Sequence, residues 1–291
     1  MTGLLGNSGA PRWYDCDAAR FPHYLDQIVA AGATAAEIVL HDGEADEFTS
    51  RVHVVRSDWE SVIDGYRSRG LWVSVHGPLT PEFSARHWNT ARRELLNRYQ
   101  PVLRQVADLA EEQGATNLVL HAAADPALDL LGNERVTAEF VQSIGELIGR
   151  WSSRVNVVLE LRAENSARPS AAALSRASVL RILNLVNHSS VGICWDLAHD
   201  MENAIATGSG WTRPPDAFLE RVRHLHLHDL GEDGEPHCPP LIGRVPISDG
   251  PKLCPTVSAI MEIRWRMAER MGAPWEILAK SYQAVLSQLA R

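Results

Sequence analysis

Six apolar runs in this chain each end on, or pass through, a side chain that can bind a cation or move a proton. LWVSVH ends at His76, TNLVLH at His121, VNVVLE at Glu160 and VGICWD at Asp196. VRHLHLHD carries His226, and SAIMEIRW carries Glu262. A carboxylate or imidazole at the end of an apolar strand costs free energy unless it is hydrogen-bonded, paired or bound to metal. A series of such groups, always at the same point of the local pattern, predicts a mouth lined with metal ligands. The donors are oxygen and imidazole nitrogen without thiolate, which suits Mn²⁺, Co²⁺, Zn²⁺, Fe²⁺ or Mg²⁺. Two carboxylates on separate strands, Glu160 and Glu262, also suit proton transfer at opposite faces of a carbon next to a carbonyl. A divalent cation beside them would polarise that carbonyl and stabilise an enediolate.

Each group has a structural role that competes with this one. Strand alternation puts His224, His226 and His228 on one face and Leu225 and Leu227 on the other. The leucines suit a helix layer, so the histidines face inward, as ligands or as a hydrogen-bonded polar layer. Glu160 has Arg162 nearby as an ion-pair partner, and Glu262 has Arg264 on its own face. Asp196 and His199 form WDLAH at a strand-to-helix junction, where the Asp can cap the helix. His76 and His121 can hydrogen-bond backbone at a rim. Glu235 and His237 lie in a polar loop and can be solvated residues. Trp195, next to Asp196, is expected to point outward into the helix layer.

The elements that must position these groups alternate. Strands are expected near 3–7, 35–41, 71–76, 116–121, 155–161, 190–196, 223–228 and 259–264. Helical periodicity falls near 15–31, 54–69, 86–113, 134–153, 172–187, 199–207 and 274–290. Over 86–113 the stripe is Leu95, Leu96, Tyr99, Val102, Leu103, Val106 and Leu109. Gly70 and Gly114 stop helices just before strands. Eight strand–helix repeats in 291 residues predict an α/β fold, a (β/α)8 TIM barrel over 1–291 as one domain, with its chemistry at the C-terminal strand ends. Between the seventh and eighth strands a long irregular loop, GEDGEPHCPPLIGRVPISDGPKLCPTV, leaves room for only a shortened helix.

Composition narrows the class. Hydrophobic residues make up 45% and charged residues 22%, the balance of a globular enzyme. The net charge of −8 argues against general affinity for nucleic acid or an anionic membrane. No run reaches the roughly 18 apolar residues of a membrane span. MTGLLGNSGAPRW lacks the basic and apolar regions of a signal peptide, and Cys16, Cys194, Cys238 and Cys254 show no CxxC spacing. Free thiols and a cytoplasmic location are expected. A homo-oligomer is compatible with the sequence, although no segment specifies one.

With VSVHGP, LVLHAAAD, VVLEL, ICWDLAH, HLHLHD, EPHCPPLIGRVPI and AIMEI in order between 70 and 265, the chain resembles the xylose-isomerase-like superfamily. That superfamily includes sugar and sugar-phosphate isomerases and epimerases and the endonuclease IV group of abasic-site nucleases. The resemblance implies a metal site at Glu160, Asp196, His226 and Glu262, with Glu160 and Glu262 as the acid–base pair and His199 on the substrate. A nuclease-like version adds His76, His121, His199, Glu235 and His237 as further metal ligands, with Glu235 standing where that pattern has an Asp. LLGNSGAPR replaces the nuclease group's Gly-rich first-strand motif, and HGPLTPEF replaces its DNA-inserting loop. LIGRVPI stands where sugar-acting relatives have a GxGxxD-like turn. The expectation is a divalent-metal isomerase or epimerase acting on a sugar or related polyol ketone. The alternatives are an endonuclease IV-like multinuclear metal phosphodiesterase, or a dehydratase or lyase on the same scaffold.

Overall fold

Gly70 and Gly114 adopt φ of +72° and +92°, a region glycine enters without steric cost. Each turns the chain from a helical stretch into a strand that begins two residues later. In this computed structural model, which describes residues 5–7, 21–39, 63–77, 88–163, 170–186 and 188–289, the strands are β1 (Leu5–Asn7), β2 (Ala35–Val39), β3 (Trp72–His76), β4 (Thr116–Leu120), β5 (Val155–Glu160), β6 (Val191–Asp196), β7 (Val222–Leu227) and β8 (Ser258–Met261). The helices are α1 (Phe21–Ala30), α2 (Trp88–Gln113), α3 (Leu130–Gly149), α4 (Arg176–Leu185), α5 (Leu197–Ala206), α6 (Asp216–Leu219), α7 (Asp249–Leu253), α8 (Trp265–Met271) and α9 (Pro274–Leu289). Of the helix expected over 54–69, the described part is helical at 63–67. Cys16 and most of LLGNSGAPR and HGPLTPEF lie outside the described residues.

The described residues pack as two compact units, one holding those up to 74 and from 224 onward, the other those from 75 to 223. In the first, β1 pairs in parallel with β2 and with β8, and β8 pairs with β7. In the second, β3, β4, β5 and β6 pair in parallel in chain order. Val119, Val158 and Cys194 form a wholly buried cluster in this second unit. Each stands two residues before His121, Glu160 or Asp196 and so shares its face. The apolar layer beneath the polar groups is thus built by the same strand period, and each of its two valines contributes about 1.5–3 kcal/mol by burial. On the opposite face of β6, Trp195 packs edge-on against Phe218 of α6 and donates from Nε1 to Asp200 of α5 at 2.9 Å. It occupies the helix layer, as its position in the alternation predicts.

Some boundaries differ from expectation for local reasons. Helix α3 starts four residues before 134 because Asp129 caps it, accepting from Gly132 N at 2.7 Å. The last strand ends at Met261 rather than 264. Glu262 N still bonds Leu227 O at 3.0 Å, but Arg264 N turns to His237 O at 3.0 Å. The backbone there is committed to the long loop, and the next residues wind into α8, which the sequence pattern did not announce. Within that loop the buried Asp229 carboxylate accepts from Leu230 N, Gly243 N, Arg244 N and Val245 N at 2.5–3.1 Å. The loop holds only the five-residue α7, as expected. Cys194, Cys238 and Cys254 are free thiols. Among the described residues no helix is long and apolar enough to cross a membrane.

Candidate active site

Glu160 closes β5 and gathers imidazoles from neighbouring strand ends. His121 Nε2 lies 2.8 Å and His76 Nε2 3.2 Å from the same oxygen, Oε2, with the two rings edge to face at 4.8 Å. His76 Nδ1 is 2.9 Å from the Gly77 carbonyl, and that bond requires the proton on Nδ1. In the neutral ring Nε2 therefore turns a lone pair toward a carboxylate, a contact that a cation between them makes attractive. His199 Nε2 lies 3.8 Å from Glu160 Oε1 and 3.8 Å from Asp196 Oδ2, while its Nδ1 meets Glu202 at 2.8 Å.

Asp196 divides its oxygens between two settings. Oδ1 accepts from His199 N at 2.9 Å and caps α5, while Oδ2 faces the His199 ring. The capping role and the ligand role are therefore compatible in one side chain. The imidazoles around this pair are tuned apart. Burial, then repulsion by Arg162, brings His121 down to about 4, against the opposing pull of Glu160. Burial alone would lower His199 as well, but Asp196, Glu202 and Glu160 outweigh it and raise His199 to about 9.

The other unit holds a second polar cluster. His224, His226 and His228 are all wholly buried. His226 Nδ1 lies 3.3 Å from Glu262 Oε2, and His226 Nε2 lies 3.2 Å from Glu37 Oε1. His237 Nδ1 is 3.7 Å from Glu262 Oε2, and its ring stacks on His228 at 4.3 Å. His237 N donates to His228 Nδ1 at 2.8 Å, and His237 takes a positive φ of 61° that aims it back from the loop. Donors on one cation at about 2.1 Å stand roughly 3.0–3.4 Å apart. The 3.3 Å between His226 Nδ1 and Glu262 Oε2 fits two such ligands.

Of the residues singled out by sequence, Glu160, Asp196, His76, His121 and His199 converge in one unit, and His226, Glu262 and His237 in the other. Glu235 does not join them. Its two oxygens are held at 2.7 Å each by Arg266 and Arg270 of α8, so it ties the loop to a helix. Glu160 and Glu262, for which ion pairs with Arg162 and Arg264 were the competing roles, both meet imidazoles. Sequence reasoning missed Glu37. Its signal was an acid in the middle of an apolar strand, AAEIV.

The family model described as the xylose isomerase-like TIM barrel matches residues 25–264. No curated protein sequence matches the chain. Among solved structures, D-psicose 3-epimerase with D-tagatose from Clostridium cellulolyticum H10 is 15% identical, with TM-score 0.68 over 100% of this chain and 98% of that one. The probable 3-DHS dehydratase AsbF of petrobactin synthesis from Bacillus anthracis is 14% identical, with TM-score 0.65 over 98% of each chain. An IolI protein with a bound zinc atom is 12% identical, with TM-score 0.65 over 100% of this chain and 98% of that one. Identities this low carry the fold, and the match across 25–264 carries the family: the chain belongs to the xylose isomerase-like TIM barrels, and its eight strands are those of a (β/α)8 barrel.

Proposed function

We propose that the protein is a divalent-metal-dependent isomerase or epimerase acting on a sugar or related polyol ketone, with Glu160, Asp196, His226 and Glu262 holding the cation. The observation that carries this reading is the buried approach of His226 to Glu262 at the C-terminal ends of β7 and β8. Glu160 and Asp196 stand at the same point of β5 and β6, and in a (β/α)8 barrel the strand ends surround one mouth. The neighbours named for D-psicose 3-epimerase and for bound zinc support the same chemistry. A bound cation supplies Lewis acidity at a carbonyl oxygen.

The chain's own groups do the proton work. Glu262, with its side chain 24% exposed, is the more open carboxylate and takes or returns a proton from the mouth. Glu160 is buried, accepts from His121 Nε2 and serves the opposite face of the substrate carbon. His199, its Nδ1 held by Glu202 at 2.8 Å, turns Nε2 toward Glu160 and Asp196 and offers it to a substrate oxygen.

One observation favours a second reading. His76 and His121 on Glu160 form a donor group able to take another cation, as an endonuclease IV-like multinuclear phosphodiesterase would use. The engagement of Glu235 by two arginines weighs against the three-metal form. Dehydratase or lyase chemistry uses the same enolate, and AsbF is a neighbour of that kind.

The test is turnover of a panel of ketoses and dehydro-sugars by the Mn²⁺-loaded protein, beside nicking of abasic-site DNA. At least one sugar is turned over, and Glu160→Gln lowers that turnover by about 10²–10⁴-fold, the worth of a positioned acid–base group. Unchanged turnover in Glu160→Gln and in chelated protein rejects the reading. DNA nicking with no sugar turnover favours the second.

A further inference from the structure

Glu37 lies at the centre of β2, 2% exposed, in a strand otherwise made of small and branched apolar residues. A carboxylate in that position costs free energy unless its charge is answered. Every group that answers it belongs to the same unit. Ser74 Oγ donates to Oε2 at 2.9 Å, and His224 Nε2 lies 3.0 Å from the same oxygen. His224 is itself set by Ser258 Oγ, 2.6 Å from its Nδ1. With Oε2 engaged twice, Oε1 is the oxygen that meets His226 Nε2, at 3.2 Å.

The geometry points to Glu37 as a positioning residue that holds the proton of His226 on Nε2, so that Nδ1 presents its lone pair to a cation beside Glu262. This rests on the metal reading above. A neutral imidazole has one lone pair, and a ligating nitrogen must be the unprotonated one. An acceptor at the far nitrogen fixes both tautomer and ring angle, and such partners alter metal affinity by about 10–100-fold. His226 has a carboxylate oxygen 3.2 Å from one nitrogen and another 3.3 Å from the other. The first is wholly buried and locked by Ser74 and His224, while the second belongs to the more exposed Glu262. That asymmetry assigns Nε2 to the holding side and Nδ1 to the metal side. Ser74 and His224 on Oε2 leave Oε1 turned to His226 as an oxygen that can only accept from it while the carboxylate is charged.

The competing role for Glu37 is that of a ligand, with His224 and His226, for a cation of its own. Calorimetric titration of Mn²⁺ into the full-length wild type, Glu37→Gln and Glu37→Asp separates the two. Gln offers one acceptor oxygen to three groups, so it cannot satisfy the Ser74–His224 side and His226 together. Expected is one tight ion in the wild type, affinity weakened about 10–100-fold in Glu37→Gln and partial recovery in Glu37→Asp, with all three unfolding cooperatively in chelator. A second measurement needs no variant. In ¹⁵N-histidine protein loaded with ¹¹³Cd²⁺, the metal coupling of His226 falls on Nδ1 and the proton on Nε2. Wild-type affinity in Glu37→Gln, cadmium coupling to Nε2, or loss of one whole ion from two with the other unchanged each overturns the positioning role alone. A wild type that takes up no Mn²⁺ removes the functional reading and this inference with it.

Discussion

Asp196 gives a direct way to separate structure from chemistry in one side chain. Its Oδ1 caps α5 through His199 N, and its Oδ2 faces the site. Asn caps a helix as well as Asp does, but it carries no charge. Ala does neither. Both Asp196→Asn and Asp196→Ala remove the charge that helps raise His199, so that effect cancels when the two variants are compared. What remains between them is the cap, worth about 1 kcal/mol or roughly fivefold in the folding equilibrium. Urea denaturation in chelator at neutral pH reads this difference, with Asp196→Asn the more stable. Mn²⁺ titration reads the other duty. Both variants fall in affinity together, by more than the roughly 10–100-fold that an outer-sphere partner contributes. Equal stability of the two variants refutes the cap. Wild-type Mn²⁺ affinity in Asp196→Asn refutes Asp196 as a ligand, and the four-residue metal set fails with it.

Two further predictions concern the scaffold. Burial would raise the Glu134 carboxyl, but hydrogen bonds from Arg181 (2.6 and 3.0 Å) and Ser178 (2.6 Å) lower it. A depressed acid contributes stability above its unfolded pKa and loses it as pH falls through its folded value. Glu134→Gln is therefore less stable than wild type near neutrality by about 1–2 kcal/mol, the half-exposed Arg181 limiting its share. The two proteins converge as pH falls through the lowered carboxyl value, and a stability gap that stays constant from neutral pH through the acid range rejects the assignment. Asp229→Ala strands four backbone donors of the long loop. Stability falls by about 1–3 kcal/mol, and limited proteolysis cuts first within 239–247; a cutting pattern like that of wild type rejects the carboxylate as the loop's organiser.

The fold was legible because its signals are local. Apolar runs of strand length, glycines at helix ends and one stripe of helical period are each set by contacts within a few residues, and each reappears in β3, β4 and α2. The boundaries that moved did so through single hydrogen bonds that periodicity does not encode. Asp129 extends α3 toward its N-terminus, and Arg264 N follows the loop rather than the sheet. Glu235 was read from its place beside His237, yet its partners Arg266 and Arg270 come from the helix that follows that same departure.

Glu37 was missed for a different reason. The search followed strand ends, where polar groups can reach a mouth, and Glu37 sits in mid-strand. Its partner His224 lies 187 residues away, so no local pattern links them. Yet alternation alone had already turned His224, His226 and His228 to the inside. Three imidazoles in an apolar interior need hydrogen-bond partners, and a side chain in the middle of a neighbouring strand can supply one. AAEIV holds the acid that the described structure supplies. The inward histidines thus call for buried partners, of which the acid in AAEIV is one, and the same reasoning makes Glu37 and His226 one chemical unit: the charge is tolerated in the strand because the ring answers it, and the ring is fixed because the charge is there.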